Sequence, residues 1–207
     1  MKPFTKQEIL GISIILSFIF ILSFLNFRIS LRRARDAQRM ADLGTIYDAL
    51  NKYQQDFGFF PPSENGKIKA CKATNFDEVI KLLSTLEQFD QEIYFSGLKA
   101  CEWGIDSLKD LSDESYEPYL RTIMADPKKD KGINYLYFSN TKRYQIYAYL
   151  EGEESEDGYN LGIVARNLSC GEKICSFGKA FGETPLDMSI EEYENELLQE
   201  EMKKQGK

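Results

Sequence analysis

The chain contains no histidine. That excludes a Ser-His or Cys-His nucleophilic pair and a His-bound zinc. No glycine-rich loop follows a strand-like run in a way that would cradle a phosphate. An all-carboxylate glycosidase needs two acids facing each other across a cleft, and no segment sets up such a pair. The chain is therefore expected not to be an enzyme and to carry no resident cofactor. Cysteine is scarce: Cys71, Cys101, Cys170 and Cys175 are the four. None stands in a Cys-x2-Cys knuckle. Four cysteines allow three pairings; Cys170 with Cys175 would close a tight loop, and Cys71 with Cys101 a longer one. Two bridges suit an oxidising compartment, with free thiols or a metal site as the other readings.

Charge is absent from residues 9–27. This run of about 19 residues is within the roughly 17–25 that cross a bilayer as a helix. Ile12, Ile14, Ile15, Leu16, Phe18, Ile19, Phe20, Ile21, Leu22, Phe24 and Leu25 leave it no polar face, so it does not lie flat at an interface. Gly11, Ser13, Ser17 and Ser23 are small residues of the kind through which membrane helices pack. A cleaved secretory signal is the rival reading. Its apolar core is usually about 7–15 residues, and no small-x-small cleavage site follows this run. A retained single-pass anchor is expected.

What is present beyond the run is mostly acidic. The whole chain has 26 basic and 33 acidic residues, net -7. Up to Arg39 there are seven basic and two acidic residues, net +5; the remainder has 19 and 31, net -12. An acidic outer domain argues against nucleic acid, which demands many phosphate contacts. Arg28, Arg32, Arg33, Arg35 and Arg39 follow the span and are expected to meet membrane lipid headgroups. The positive-inside rule would put this arm in the cytoplasm. The cysteines argue for the opposite side.

The helix should not stop at the membrane surface. Leu43, Ile46, Tyr47, Leu50, Tyr53 and Phe57 recur at three- and four-residue steps. Gly58 and Pro61-Pro62 then end it. One helix is predicted from near Phe4 to about Phe57, its second half presenting one apolar stripe. Asn75-Phe76-Asp77-Glu78 reads as a capping box, opening a second helix marked by Phe76, Val79, Ile80, Leu83, Leu86 and Phe89. Residues 90–132 read as irregular, with Lys128, Lys129 and Lys131 on a solvated turn. Residues 133–138 and 144–150 read as a hairpin, its Tyr and Phe serving as core, and 161–164 as a third strand. Ser189-x-x-Glu192 opens a C-terminal helix, with acids early and Lys203-Lys204 late to suit its dipole.

The start of the chain resembles type IV pilins and type II secretion pseudopilins. Phe4, Thr5 and Glu8 match the Phe, Thr and Glu of that family's Gly-Phe-Thr-Leu-x-Glu opening. The segment from Arg33-Ala34-Arg35-Asp36-Ala37-Gln38-Arg39 through Phe60-Pro61 is similar to the pseudopilin stalk. More loosely, Asp126-Pro127, Tyr135-Leu136-Tyr137 and 144–151 resemble the major-pseudopilin sheet. Residues 63–117 and those after 166 are not covered. Pro3 stands where the family has the Gly at which a prepilin peptidase cuts, so Pro3 and Phe4 are the processing and methylation candidates. Leu25-Asn26 stands where it usually has Pro-Asn, which implies an unbroken span.

The resemblance implies an α+β, pilin-like fold: a long transmembrane-plus-amphipathic helix packed on a small antiparallel sheet. The implied organisation is a leader-like segment 1–8, a span 9–27, its amphipathic continuation 28–60, an extracytoplasmic domain 61–188 and a charged helix 189–207. The implied function is a filament subunit in the bacterial cytoplasmic membrane, partnered by copies of itself or other pilin-like subunits through the N-terminal helix. Glu8 would pair with a neighbour's amino terminus, since a carboxylate in hydrocarbon is costly unless paired; the plainer reading is a headgroup-level Glu complementing the helix dipole. Glu153, Glu156 and Asp157 in the acidic loop are calcium candidates, against a merely solvated turn. The alternative to polymerisation is an anchored monomeric binding domain.

Overall fold

A computed structural model describes residues 5–113 and 115–205. The fold is α+β, with a long N-terminal helix and two small antiparallel sheets. Helix α1 spans Lys6–Phe57, 52 residues, or roughly 80 Å at 1.5 Å per residue. It runs without a break through Leu25-Asn26, as the missing proline implies. Gly58 ends it in the left-handed conformation (φ 79°), donating its N–H to the Gln54 carbonyl at 2.8 Å, a geometry that favours glycine.

The second half of α1 buries its stripe. Leu43, Ile46, Leu50 and Tyr53 are at most 1% exposed, while Tyr47 and Phe57 pack at the edge of the core. At about 1.5–3 kcal/mol per fully buried large apolar side chain, this stripe dominates the attachment of the helix to the head. Strands β1 (Ser63–Glu64) and β2 (Lys67–Lys72) are joined by Asn65-Gly66, both at positive φ. That is the favoured two-residue hairpin turn. Helices α2 (Phe76–Leu83) and α3 (Gln91–Ser96) follow, and β3 (Leu98–Ala100) returns antiparallel to β2. Residues 90–132 are thus less irregular than expected.

The second sheet carries the head's centre. Strands β4 (Leu136–Ser139) and β5 (Tyr144–Ala148) form the expected hairpin, with Leu136 opposite Tyr147 and Ser139 opposite Tyr144. All five residues of β5 are buried, and their alternation assigns two faces. Tyr144, Ile146 and Ala148 join the core under α1. Tyr147 faces a smaller cluster with Ile163, Cys170 and Cys175. Gln145 donates to the carbonyls of Pro185 and Met188, at 2.5 and 2.8 Å, so this buried amide is satisfied.

Three expectations need correction. Residues 161–164 are not a strand: Leu161–Ala165 is a short helix, α4, because the Asn160 side chain accepts from the N–H groups of Gly162 and Ile163 and starts a helical turn. The third strand is β6 (Phe177–Ala180), paired with β5. Its sequence hides the role: β5 lies close at Gly178, where a Cβ would be 2.8 Å from the Tyr147 ring and 2.9 Å from the Ile146 carbonyl oxygen. Finally, α2 stops at Leu83, short of Leu86 and Phe89; Asn75 donates to the Ser96 carbonyl instead of capping, and Phe89 stacks on Phe59. The C-terminal helix α5 (Ile190–Gln205) does open on the expected box, Ser189 and Glu192 exchanging hydrogen bonds.

Candidate functional site

The first half of α1 is long and apolar enough to cross a membrane, and none of its most apolar stretch is buried by the rest of the chain. Leu10, Ile14, Phe18 and Phe20 are 63%, 62%, 64% and 71% exposed. A contiguous apolar surface of this length is unfavourable in water and is compatible with a single-pass anchor. Pro3 and Phe4 lie outside the described residues.

Glu8 forms a local capping box with Thr5. Its Oε2 accepts from the Thr5 N–H at 2.7 Å and from the Thr5 hydroxyl at 2.9 Å, and its own N–H donates to Thr5 Oγ1 at 3.4 Å. Within a single chain, then, Glu8 satisfies the start of the span. Pairing with another chain would have to compete with these bonds or share the carboxylate.

The junction between rod and head is a charge network that sequence reasoning missed. From the helix come Arg35, Asp36 and Arg39; from the head come Asp126, Lys128 and Glu151. Arg39 is fully buried and grips Asp126 with two prongs, at 2.7 and 3.1 Å. Its remaining nitrogen donates to Asp36 at 2.8 Å and Glu151 at 2.9 Å. Arg35 makes a second fork onto Glu151, both contacts 2.7 Å, and Lys128 adds a third cation at 2.6 Å. Three cations face three anions, so the junction is neutral overall and its geometry is of the strong bidentate kind.

This corrects two expectations. The arginines following the span are not all free for lipid: Arg39 is inside the protein, Arg35 is forked onto Glu151, and Arg32 is bound to Glu156. Arg28 and Arg33 remain outward. The lysine turn is not merely solvated either, because Lys128 joins the network and Lys129 donates to the Trp103 carbonyl. The signal available in the sequence was the helical spacing of Arg35 and Arg39, one turn apart on the stripe that continues into Leu43 and Ile46.

Acid should loosen this junction. The Arg35 fork holds the Glu151 carboxyl well below the usual carboxylate range; Lys128 and Arg39 add to that, and burial opposes it. A depressed carboxyl contributes stability that is complete above its unfolded value, about 4.3, and is lost as pH falls toward the folded value. Denaturant midpoints should therefore be flat near neutrality and decline below about pH 4. Glu151→Gln should remove a share of that decline; an identical acid profile in the variant would rule out Glu151 as a contributor. Elsewhere at the rod, burial pushes the Asp42 carboxyl up, with the Tyr135 hydroxyl donating to it at 2.7 Å in partial compensation.

The calcium candidates sit on the loop beside this junction. Glu156 is engaged by Arg32, with Arg33 at 3.8 Å, while Glu153 and Asp157 are exposed. All three line a cavity of about 320 Å³ against Arg33, Asp36 and Met40. Among the described residues, no three carboxylates of this loop come close enough to share an ion; the one acid-and-sulfur grouping is Cys71, Cys101 and Asp106. Those sulfurs are bonded to each other, and Cys170 is bonded to Cys175, so the long loop and the tight one are both closed.

No known protein family, curated protein or solved structure matches this chain.

Proposed function

We propose that the chain is a membrane-anchored, pilin-like subunit whose N-terminal rod packs with other such rods into a filament. It acts by assembly and not by chemistry. The observation that carries this is the division of labour along one helix: a bare apolar half, then an amphipathic half fixed to a small α+β head. A simple lipid anchor has no need of a rigid continuation. A rod locked to its head transmits position from the membrane to the outside. The opening residues Phe4, Thr5 and Glu8, and the stalk from Arg33 to Pro61, support the same reading through their resemblance to pilins.

The test is self-association in a bilayer. The native cysteines are bridged, so a single cysteine placed at Ile14 or Phe18 reports rod contacts alone. Oxidative crosslinking of these variants should give dimers and higher ladders at high protein density. Glu8→Ala should clearly reduce the yield if the carboxylate pairs between chains, because its partner then loses its counter-charge; an unchanged ladder would reject the pairing. The second reading is a monomeric anchored domain, favoured by the internal capping of Glu8 by Thr5. Absence of ladders at every density would select it.

A further inference from the structure

The geometry points to a lipid-headgroup site at the foot of the head, selective for a phosphate bearing a primary ammonium, as in phosphatidylethanolamine. It rests on the anchored reading of α1 and names the lipid that reading leaves open. Two unpartnered carboxylate oxygens carry it. Asp36 is 7% exposed; its Oδ1 accepts from Arg39 and from the Glu151 N–H, while its Oδ2 accepts nothing among the described residues. Glu156 uses Oε1 for Arg32, leaving Oε2 free. Both free oxygens converge where Gly152 lacks a side chain: a Cβ there would lie 3.5 Å from Asp36 Oδ2 and closer still to Glu156 Oε2. This point is on the wall of the 320 Å³ cavity.

The occupant's chemistry follows. A divalent calcium ion asks for six to eight oxygens, and the loop does not gather them. A primary ammonium has three N–H donors to place, and the second oxygens of Asp36 and Glu156, whose first oxygens hold Arg39 and Arg32, can accept two of them. Arg33, 69% exposed at its side chain, stands beside the same cavity. With Arg28 and Arg32 it also lines a shallow groove running toward the span, where Arg32 Nε has no acceptor. Guanidinium groups suit phosphate. Arg28 to Arg33 fall about 2–9 Å beyond Phe27 along the helix, at the depth of the headgroup layer and its outer edge, and Asp36 about 14 Å beyond it, on the water side of the arginines. The cation site therefore lies at phosphate depth with the anion site just outside it, the order in which an upright zwitterionic headgroup presents its phosphate and its ammonium. A choline headgroup is bulkier at nitrogen and has no N–H to donate; a serine headgroup would bring one more carboxylate to a wall that already holds Asp36, Glu153, Glu156 and Asp157.

The test uses the full chain, reconstituted in nanodiscs holding equal phosphatidylethanolamine and phosphatidylcholine, with retained lipid read by native mass spectrometry. The ethanolamine lipid should be retained about fivefold over the choline lipid, equivalent to ~1 kcal/mol. Gly152→Ala keeps every charge but fills the convergence point, and should erase the preference. Arg33→Gln should lower retention of both lipids. Equal retention by the unaltered protein, or an unchanged preference in Gly152→Ala, overturns the site. Loss of the preference on adding EDTA would overturn it too, since a metal would then be the occupant. If the chain enters no bilayer of any composition, the anchor falls and the site with it; insertion without preference rejects the site alone.

Discussion

Arg39→Ala should lower the stability of the head by about 3–5 kcal/mol, the usual cost of removing one partner from a buried charge group. For a domain of this size that corresponds to roughly a 10 °C drop in thermal midpoint. The cause is what the substitution leaves behind. Asp126 has no solvent-exposed side-chain surface, and Asp36 has little; without Arg39 both carboxylates lose their closest cation. Lys128 cannot replace it for Asp126, because its ammonium is committed to Glu151. Arg39→Met combined with Asp126→Asn should recover much of the loss, since removing both charges also removes the stranded one. The measurement is urea or thermal unfolding of the full chain in detergent, followed by near-ultraviolet circular dichroism. A cost for Arg39→Ala within ~0.5 kcal/mol, as for an ordinary surface change, would show that the junction is solvated and not closed.

The apolar stripe Leu43, Ile46, Leu50 and Tyr53 attaches the rod to the head strongly without it. A buried ion network contributes little net stability over an apolar equivalent. Its effect is on register: sliding the rod by one turn would put Arg35 where Arg39 belongs and leave Asp126 and Glu151 mismatched. On the proposed reading, a subunit that holds its head at one height above the membrane has use for such a constraint.

Opening the Cys71–Cys101 bridge should be the other large loss. The half-cystines are 30 residues apart, and closing a loop of that length restricts the unfolded chain by about 3.5 kcal/mol. The Cys170–Cys175 bridge, with a separation of 5, should be worth only about 2 kcal/mol by the same reasoning. Cys71→Ala/Cys101→Ala should therefore unfold at distinctly lower denaturant than Cys170→Ala/Cys175→Ala. The ordering matters more than either value, because it follows from loop length. Local packing works in the same direction: Cys71 and Cys101 sit in the main core, whereas Cys170 and Cys175 belong to the small cluster around Tyr147. A reversed ordering would mean that native-state strain, and not chain entropy, governs these bridges.

Much of the architecture was legible from local pattern. The 52-residue helix follows from apolar spacing with no interior proline and a terminal Gly58. The hairpin of β4 and β5 follows from aromatic-rich runs around a polar turn, and α5 from its capping box. Elements failed where the deciding partner is distant in sequence. Phe177–Ala180 is a strand because Gly178 lets it lie against β5, and nothing in Phe-Gly-Lys-Ala announces that neighbour. Residues 161–164 have strand-like composition, yet Asn160 turns them into a helix.

By itself the sequence determined the uncharged rod, the absence of histidine chemistry and the helical stripe that had to find a partner, because each is a property of near neighbours along the chain. Only the tertiary structure decided what the arginines do. Asp126 and Glu151 are 87 and 112 residues from Arg39, and a charge destined for a buried fork looks the same in one dimension as a charge destined for lipid. The difference is made by desolvation, which exists only once the head has closed over the rod.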